Sequence, residues 1–232
     1  DRAYEVLGMK FDTFIGEAFF EKDMKPLVEE LSSRGILERS EGSLIIKLDT
    51  FGLPPALIEK ADGASLYLAR DIAGLRYRIK KYKPEKILYV VGNEQSLHFD
   101  HLFAIAKLLG IKGVELMHIK YGLVLGEGGK KLATREGRTI LADEVISKAV
   151  SLAKEVVSKK NAAASGPMGE PRLGRELSER EKIKIAEAVG IGAVKYANLK
   201  ENRHSDIVFD WAKMLDFTGD SAPYLQYTYT RL

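Results

Sequence analysis

The chain has 232 residues, of which 45% are hydrophobic and 30% are charged, and its formal net charge is +3. This composition is typical of a globular protein with a substantial core, and the lack of cysteine excludes a disulfide-stabilised secreted scaffold. No apolar run approaches the roughly 20 residues that a membrane-spanning helix needs, and the start lacks signal-peptide architecture, so a cytoplasmic protein without a membrane partner is expected.

Residues 1–61 are predicted to form a small α+β subdomain. Alternating apolar residues indicate strands, apolar residues at helical spacing indicate a helix, and glycine marks the turns. The predicted elements are a half-buried strand at 11–15, a helix at 23–34 that ends at Gly35, a hairpin of strands 35–38 and 42–48 with its turn at 39–41, and a short strand at 57–60.

Residues 62–139 are predicted to alternate helix and strand. The elements are a helix from a turn at 62–63 to about 82, a strand at 86–91, a helix at 97–109 capped by Ser96 and ended by Gly110, and a strand at 114–119. The short apolar run at 86–91 is typical of a buried parallel strand, so the order indicates a βαβ unit. Ligands in such sheets lie beyond the carboxyl ends of the strands. The segments to search for a site are therefore 92–98 and 118–124.

The rest of the chain is predicted to be mainly helical. Residues 126–139 form a glycine-rich basic loop that suits phosphate binding, because such loops present backbone N–H groups and cations. Residues 140–232 are predicted to form a helical region. Its elements are a helix at 140–160, a flexible connection at 161–174, a capping box at Ser178 and Glu181 that opens a helix to 189, a second helix after a break at 190–192, a short helix at 209–215 and a tyrosine-rich segment at 221–232.

Two residues of the first predicted helix form a candidate binding site. Tyr67 and Asp71 are four residues apart and therefore share one helical face. A carboxylate beside an aromatic ring suits a planar cation, because the carboxylate accepts a guanidinium bidentately and the ring packs along it. The pattern alone favours a simpler interpretation, in which Tyr67 is a core residue and Asp71 pairs with a neighbouring arginine. The candidate partners are Arg70, Arg76 and Arg78.

Residues 62–71, with the sequence DGASLYLARD, resemble the arginine-binding part of arginyl-tRNA synthetases, whose pattern is D-G-x-x-L-Y-x-T-R-D-x-A. Further segments resemble the same family in the same order, namely 89–99, 118–124, 132–139 and 222–227. Each segment is unspecific alone, but five in family order cover nearly the whole chain. The resemblance implies an α/β fold, specifically a partial Rossmann-like nucleotide-binding fold of class I synthetases with a small inserted α+β subdomain and a C-terminal helical segment.

The resemblance also implies which residues bind the substrates. Tyr67, Asp71 and Gln95 would hold the arginine side chain. The residues that would bind ATP are His98, His118, Gly122, Val124, Lys130, Lys131, Thr134 and Arg135. For the two histidines a capping or core position remains an open alternative. His98 and His101 are three apart on a helix, but no third ligand follows at a recognisable spacing, so no metal site is predicted.

The loop at 132–137 departs from the family pattern. Class I synthetases close a KMSKS-type loop on the triphosphate, and the pattern in this family is M-S-T-R-[KR]-G. This chain has LATREG there, so Glu136 stands where a second basic residue is expected. Lys131 and Arg135 are the predicted catalytic residues, and Glu136 is expected to weaken phosphate binding.

The implied activity is ATP-dependent attachment of arginine to tRNA(Arg), with ATP and Mg²⁺ as substrate and no prosthetic group. Residues 202–206 and 223–227 match the part of the family near the tRNA acceptor stem, although a structural role at a domain junction is equally open. The His-x-Gly-His element of class I synthetases is missing, and so are the segments that should precede Asp1 and follow Leu232.

The chain is therefore expected to be the second half of a catalytic domain, with the N-terminal half and an anticodon-binding domain as partners. Half of a Rossmann sheet should expose a strand edge and an apolar face. Three alternatives stay open: a catalytically inactive arginine-binding or regulatory fragment, one half of a split synthetase, and another nucleotidyltransferase of the Rossmann class.

Overall fold

The computed structural model describes residues 2–62, 67–126, 129, 141–164, 176–208, 210–216 and 219–232. The chain folds into two compact units. One unit comprises residues 13–121, and the other comprises residues 1–12 together with 122–232. Both units mix helices with small sheets, which confirms the predicted α/β class.

The first unit contains most of the predicted elements in the predicted order. They follow a 3₁₀ turn at Glu17–Phe20, which was not predicted, and are α2 at Glu21–Ser33, β1 at Glu38–Ser40, β2 at Ser43–Ile46, β3 at Ala56–Glu59, α3 at Tyr67–Tyr82, β4 at Lys86–Gly92, α4 at Ser96–Leu108 and β5 at Glu115–Tyr121. Helix α1, at Arg2–Val6, belongs to the other unit.

Strands β1, β2 and β3 form an antiparallel sheet in that order. The predicted hairpin exists, but its first strand begins three residues later than expected and ends two residues later. Ser40 pairs with Ser43 across a turn whose two residues, Glu41 and Gly42, have positive φ. A two-residue turn of this kind matches the twist of paired strands. The two-residue turn at Glu41 and Gly42 therefore sets the pairing register of β1 and β2, and it lies later in the chain than the turn predicted at 39–41.

The predicted strand at 11–15 is wrong. These residues have no regular secondary structure, and no strand in the described part of the chain pairs with them. Phe11 instead contacts Tyr4 edge-on at a centroid distance of 4.9 Å, while Ile15 packs against the core of the first unit. The alternating apolar residues of this segment thus make separate contacts in the two units and do not form a strand.

The βαβ unit is confirmed, because β4 and β5 pair in parallel with α4 between them. Ser96 is not the helix cap, however. A 3₁₀ turn at Asn93–Gln95 leads directly into α4, so Gln95 occupies the N-cap and the Ser96 hydroxyl donates to the Asn93 carbonyl at 2.6 Å. The helix ends at Leu108, with Gly110 two residues beyond it, as expected.

The sheet of β4 and β5 is buried on one face only, so the prediction of a fully buried strand is wrong. Tyr89 and other alternate residues pack against the core that α3 and α4 share, whereas Leu88 and Val90 are 53% and 64% exposed on the opposite face. Within the described part of the first unit, no helix covers that face. An exposed apolar face agrees with the expectation for half of a Rossmann sheet.

One core holds the first unit together. It joins α2, β3, α3 and α4 through side chains that are at most 1% exposed, such as Leu31, Ile58, Ile72 and Leu102. Residues 13–61 therefore share their hydrophobic core with the helices that follow. The hydrophobic core therefore continues across the boundary that was predicted at residue 61.

The second unit is mainly helical. Its elements besides α1 are β6 at Val124–Leu125, α5 at Ala142–Ala164, α6 at Glu179–Leu199, β7 at Ile207–Val208, α7 at Trp211–Met214 and α8 at Ala222–Tyr229. The predicted capping box is confirmed, since the Glu181 backbone N–H donates to the Ser178 hydroxyl and the Glu181 carboxylate accepts from the Ser178 backbone N–H. Helix α5 runs four residues beyond its predicted end, and residues 165–174 of the predicted connection lie outside the described residues.

Helix α6 continues through residues 190–192, where a break was predicted. A Cβ atom at Gly190 would lie 2.7 Å from the Cα atom of Val150, so the glycine serves close approach of α5 and not a turn. The short helix α7 is capped by Asp210, whose carboxylate accepts from the N–H groups of Ala212 and Lys213. No helix in the described residues is long and apolar enough to span a membrane.

Candidate functional site

Tyr67 and Asp71 lie on the accessible side of α3. The Tyr67 residue is 67% exposed and the Asp71 side chain is 39% exposed. The residues of α3 that enter the core are their neighbours, for example Leu68, Ile72 and Leu75. Tyr67 is therefore not a core residue, and the helix presents the ring and the carboxylate to solvent one turn apart.

The arginines nearest in sequence are paired with other groups. The Arg70 guanidinium donates to Glu17 Oε2 at 2.7 Å, and it lies 5.7 Å from the centroid of the Tyr67 ring. Arg76 makes a bidentate pair with Glu30, with both N···O distances 2.7 Å. The Arg76 hydrogen bonds lower the pKa of the Glu30 carboxyl below its ordinary value.

Arg78 also has other neighbours. Its guanidinium carbon is 5.8 Å from the ring centroid of Phe20 and 5.8 Å from that of Tyr89, so it contacts two rings. Within the described ranges, none of the three candidate arginines forms a salt bridge with Asp71. The simpler interpretation of the sequence, in which a neighbouring arginine neutralises this carboxylate, is therefore wrong.

The partner of Asp71 is a histidine from α4. His98 Nε2 lies 2.6 Å from Asp71 Oδ2, and an ionised carboxylate can only accept, so the imidazole donates. The His98 side chain is 23% exposed, and its ring meets the ring of Phe99 edge-on. Helix spacing could not have revealed this contact, because the two residues are 27 positions apart on different helices.

Gln95 lies at the start of α4, next to this contact in the chain. It is exposed, it ends the 3₁₀ turn that follows β4, and it precedes His98 by three residues. Residues at this spacing lie on one side of a helix. Gln95 therefore lies at the carboxyl end of a parallel strand, where ligands bind in open α/β sheets, and three residues before the histidine that contacts Asp71.

His118 lies on the next strand and has a structural contact of its own. Its Nε2 donates to the Val91 carbonyl at 2.9 Å, and its ring centroid lies 4.4 Å from that of Phe99. Nδ1 is buried and has no hydrogen-bond partner among the described residues. This placement matches the core alternative, and binding of ATP by His118 stays a prediction.

In the second unit, the predicted nucleotide turn at Gly122 and Val124 packs against residues 202–208. The Gly122 N–H donates to the Arg203 carbonyl at 2.8 Å, and the Leu123 N–H donates to Asp206 Oδ1 at 2.7 Å. Strands β6 and β7 then pair in parallel. A Cβ atom at residue 122 would lie 2.3 Å from the Ser205 carbonyl oxygen, so only glycine fits this approach.

Residues 202–206 were not predicted to contact the turn at Gly122, because the resemblance places them near the tRNA acceptor stem and leaves a structural role at a domain junction equally open. The one sequence feature that could have indicated the contact is a pair of short apolar segments, one preceded by Gly122 and the other by Asp206.

The predicted loop residues Lys130, Lys131, Thr134 and Arg135, with Glu136, lie outside the described residues. Among the residues that are described, no group of three or more His, Cys, Asp or Glu side chains is arranged to hold a metal ion.

Comparison with protein-family models finds a match over most of the chain. The model described as tRNA synthetases class I (R), catalytic domain, matches residues 1–211. Curated relatives include the arginine–tRNA ligase of Exiguobacterium sibiricum, 42% identical over 232 residues, and that of Halothermothrix orenii, 39% identical over 231 residues. Each alignment covers 99% of this chain and 38% of the relative, so the chain spans well under half of the length of these proteins.

Two solved structures resemble the fold closely. The arginyl-tRNA synthetase of Plasmodium falciparum matches with a TM-score of 0.79 and 23% identity, covering all of this chain and 37% of that one. The arginyl-tRNA synthetase of Thermus thermophilus matches with a TM-score of 0.77 and 20% identity, covering 99% of this chain and 43% of that one.

Proposed function

The chain belongs to the family of class I tRNA synthetases (R), catalytic domain, and we propose that it supplies the arginine side-chain pocket of an arginine–tRNA ligase. This proposal rests on one observation: the Asp71 carboxylate is accessible, and no arginine of its own helix forms a salt bridge with it. An accessible acid beside an exposed ring, Tyr67, suits a guanidinium from outside.

The pocket would select arginine by its geometry. Asp71 would accept the fork of guanidinium N–H groups, Tyr67 would form a flat wall, and Gln95 would supply a neutral acceptor. A site built for a fork of donors rejects lysine or citrulline, because its own polar groups are then left unpaired. Discrimination of arginine from lysine and citrulline would thus depend more on hydrogen bonds than on the shape of an apolar cavity.

ATP, with Mg²⁺, would be the second substrate. The turn at Gly122 and Val124, His118 and the loop residues Lys130, Lys131, Thr134 and Arg135 are the proposed nucleotide contacts. His98 was predicted to join them, but its contact with Asp71 supports a place in the amino-acid site. The arginine carboxylate would attack the α-phosphorus and release pyrophosphate, and Lys131 and Arg135 would stabilise the charge that develops.

The terminal ribose hydroxyl of tRNA(Arg) would then attack the carbonyl carbon of the arginyl-adenylate, so that the ester forms and AMP leaves. We expect this reaction in the cytoplasm and without a prosthetic group. Residues 1–61, 62–139 and 140–232 would be the inserted subdomain, the catalytic half-fold and the stem-contact region.

Titration calorimetry of the chain with arginine tests the proposed pocket directly. We expect Asp71→Asn to weaken arginine binding by at least tenfold, since a hydrogen bond to a charged group contributes roughly 1.5–3 kcal/mol. The matched control is Asp100→Asn, an exposed carboxylate on α4. Equal affinity of the Asp71→Asn chain and the unaltered chain would refute the pocket.

A second candidate function is that of one half of a split synthetase. The observation that favours it is the apolar face of the β4–β5 sheet, where Leu88 and Val90 are exposed together with Met117. Exchange between ATP and pyrophosphate should then appear only when the chain is mixed with the N-terminal half that carries the His-x-Gly-His element. Arginine binding without exchange in the mixture would indicate a binding or regulatory fragment instead.

A further inference from the structure

The contact between His98 and Asp71 constrains how the carboxylate can receive a ligand. A carboxylate has two oxygens with about two lone-pair sites each, and the 2.6 Å hydrogen bond from His98 Nε2 uses one site of Oδ2. Oδ1 has no hydrogen-bond partner among the described residues. The side chain is therefore anchored at Oδ2, while Oδ1 and the second lone pair of Oδ2 can still accept from a ligand.

The imidazole is itself held in place. His98 stands in the first turn of α4, and its ring packs edge-on against Phe99 at a centroid distance of 5.4 Å. Phe99 is 5% exposed and packs in turn against His118 and Tyr89. The imidazole that donates to Asp71 therefore packs against the buried core of the first unit, which restricts its movement.

We propose that His98 is a positioning residue that fixes the rotation of the Asp71 carboxylate, so that its two oxygens are presented in one orientation to the guanidinium fork of arginine. This inference rests on the proposed function of Asp71 as the guanidinium acceptor. A planar fork of donors needs an acceptor in a defined orientation, whereas an ammonium can approach a single oxygen from many directions. Fixing the carboxylate therefore favours arginine over lysine.

The matching variants are His98→Gln and His98→Leu. Glutamine places an amide donor near the position of the imidazole Nε2, whereas leucine fills the space without a donor. We expect His98→Leu to weaken arginine binding roughly tenfold, with lysine binding little changed, because one positioning hydrogen bond is lost. His98→Gln should restore arginine binding to within about threefold of the unaltered chain. His101→Leu, which removes an imidazole from the same helix, is the control.

The measurements are titration calorimetry with arginine and with lysine, and the melting temperature of each variant. A merely structural role of His98 predicts that arginine and lysine binding fall together with the melting temperature, and that result would overturn the inference. Equal weakening by His98→Gln and His98→Leu in folded chains would also overturn it.

Asp71→Asn separates this inference from the function on which it rests. If Asp71→Asn abolishes arginine binding and His98→Leu leaves it intact, the pocket stands and the positioning role is wrong. If Asp71→Asn has no effect, or if the unaltered chain binds no arginine, the proposed function and the positioning role are both wrong.

Discussion

Replacement of Gly122 by alanine should loosen the turn that joins β6 to residues 202–208. The added Cβ atom would lie 2.3 Å from the Ser205 carbonyl oxygen and 2.8 Å from the Asp206 nitrogen, and both are backbone atoms that cannot rotate away. Relief requires the two segments to separate. Their separation breaks three hydrogen bonds. The Gly122 N–H donates to the Arg203 carbonyl, the Leu123 N–H donates to Asp206 Oδ1, and the Ile207 N–H donates to the Leu123 carbonyl.

Three hydrogen bonds at a net value of roughly 1 kcal/mol each amount to about 3 kcal/mol of local stability. Amide hydrogen exchange measures that quantity, because protected amides exchange through local opening. We expect protection at Leu123 and Ile207 to fall by about a hundredfold, which corresponds to roughly 3 kcal/mol. Protection within the core of the first unit, for example at Leu102, should be unchanged.

Gly219→Ala is the matched control in the same unit. A Cβ atom at that position meets only Asp216 Oδ2, at an ordinary contact distance of 3.6 Å. Protection at Leu123 and Ile207 should therefore match that of the unaltered chain. Full protection of both amides in the Gly122→Ala chain would show that the close approach of these backbones does not require glycine, and the reasoning would fail.

Two further predictions concern stability. Ser178→Ala removes the cap of α6 and should lower the free energy of unfolding by about 1 kcal/mol in urea titration, whereas Ser178→Asp should retain most of it; equal loss in both would contradict the capping argument. Arg76 lowers the pKa of Glu30, so the pair stabilises the fold above the ordinary pKa of 4.5, and this contribution is lost as pH falls through the lower folded-state pKa. Glu30→Gln should therefore be less stable than the unaltered chain at pH 7 and equal to it near pH 2, and a difference independent of pH would refute the linkage.

Local sequence signals predicted the elements that local chemistry controls. The capping box at Ser178 is built from residues three apart, and both of its hydrogen bonds form as expected. The strand–helix–strand order of β4, α4 and β5 was equally readable, because each element has its own periodicity and glycine follows the helix. The same signals failed at residues 11–15, where alternation is present but no strand of the described chain pairs with it.

Glycines were the least reliable signal, because their meaning depends on what lies opposite. Gly190 and Gly192 predicted a break, yet α6 continues, and the space at Gly190 is filled by the backbone of α5 at Val150. Gly122 was assigned to nucleotide binding by resemblance, whereas its close approach to Ser205 supplies a packing reason for the same residue. A glycine that permits close contact and one that permits a turn look identical in a single sequence.

The sequence by itself determined that Tyr67 and Asp71 share a face, because four residues make about one turn of any α-helix. Only the tertiary structure decided which charges neutralise one another. Arg70 pairs with Glu17, Arg76 pairs with Glu30, and Asp71 receives its hydrogen bond from His98. The sequence alone permits many pairings of these acidic and basic side chains, and the distances between them in the folded chain decide which pairs form. That selection leaves the Asp71 carboxylate without an arginine partner on its own helix and, among the described residues, anchored by a single hydrogen bond.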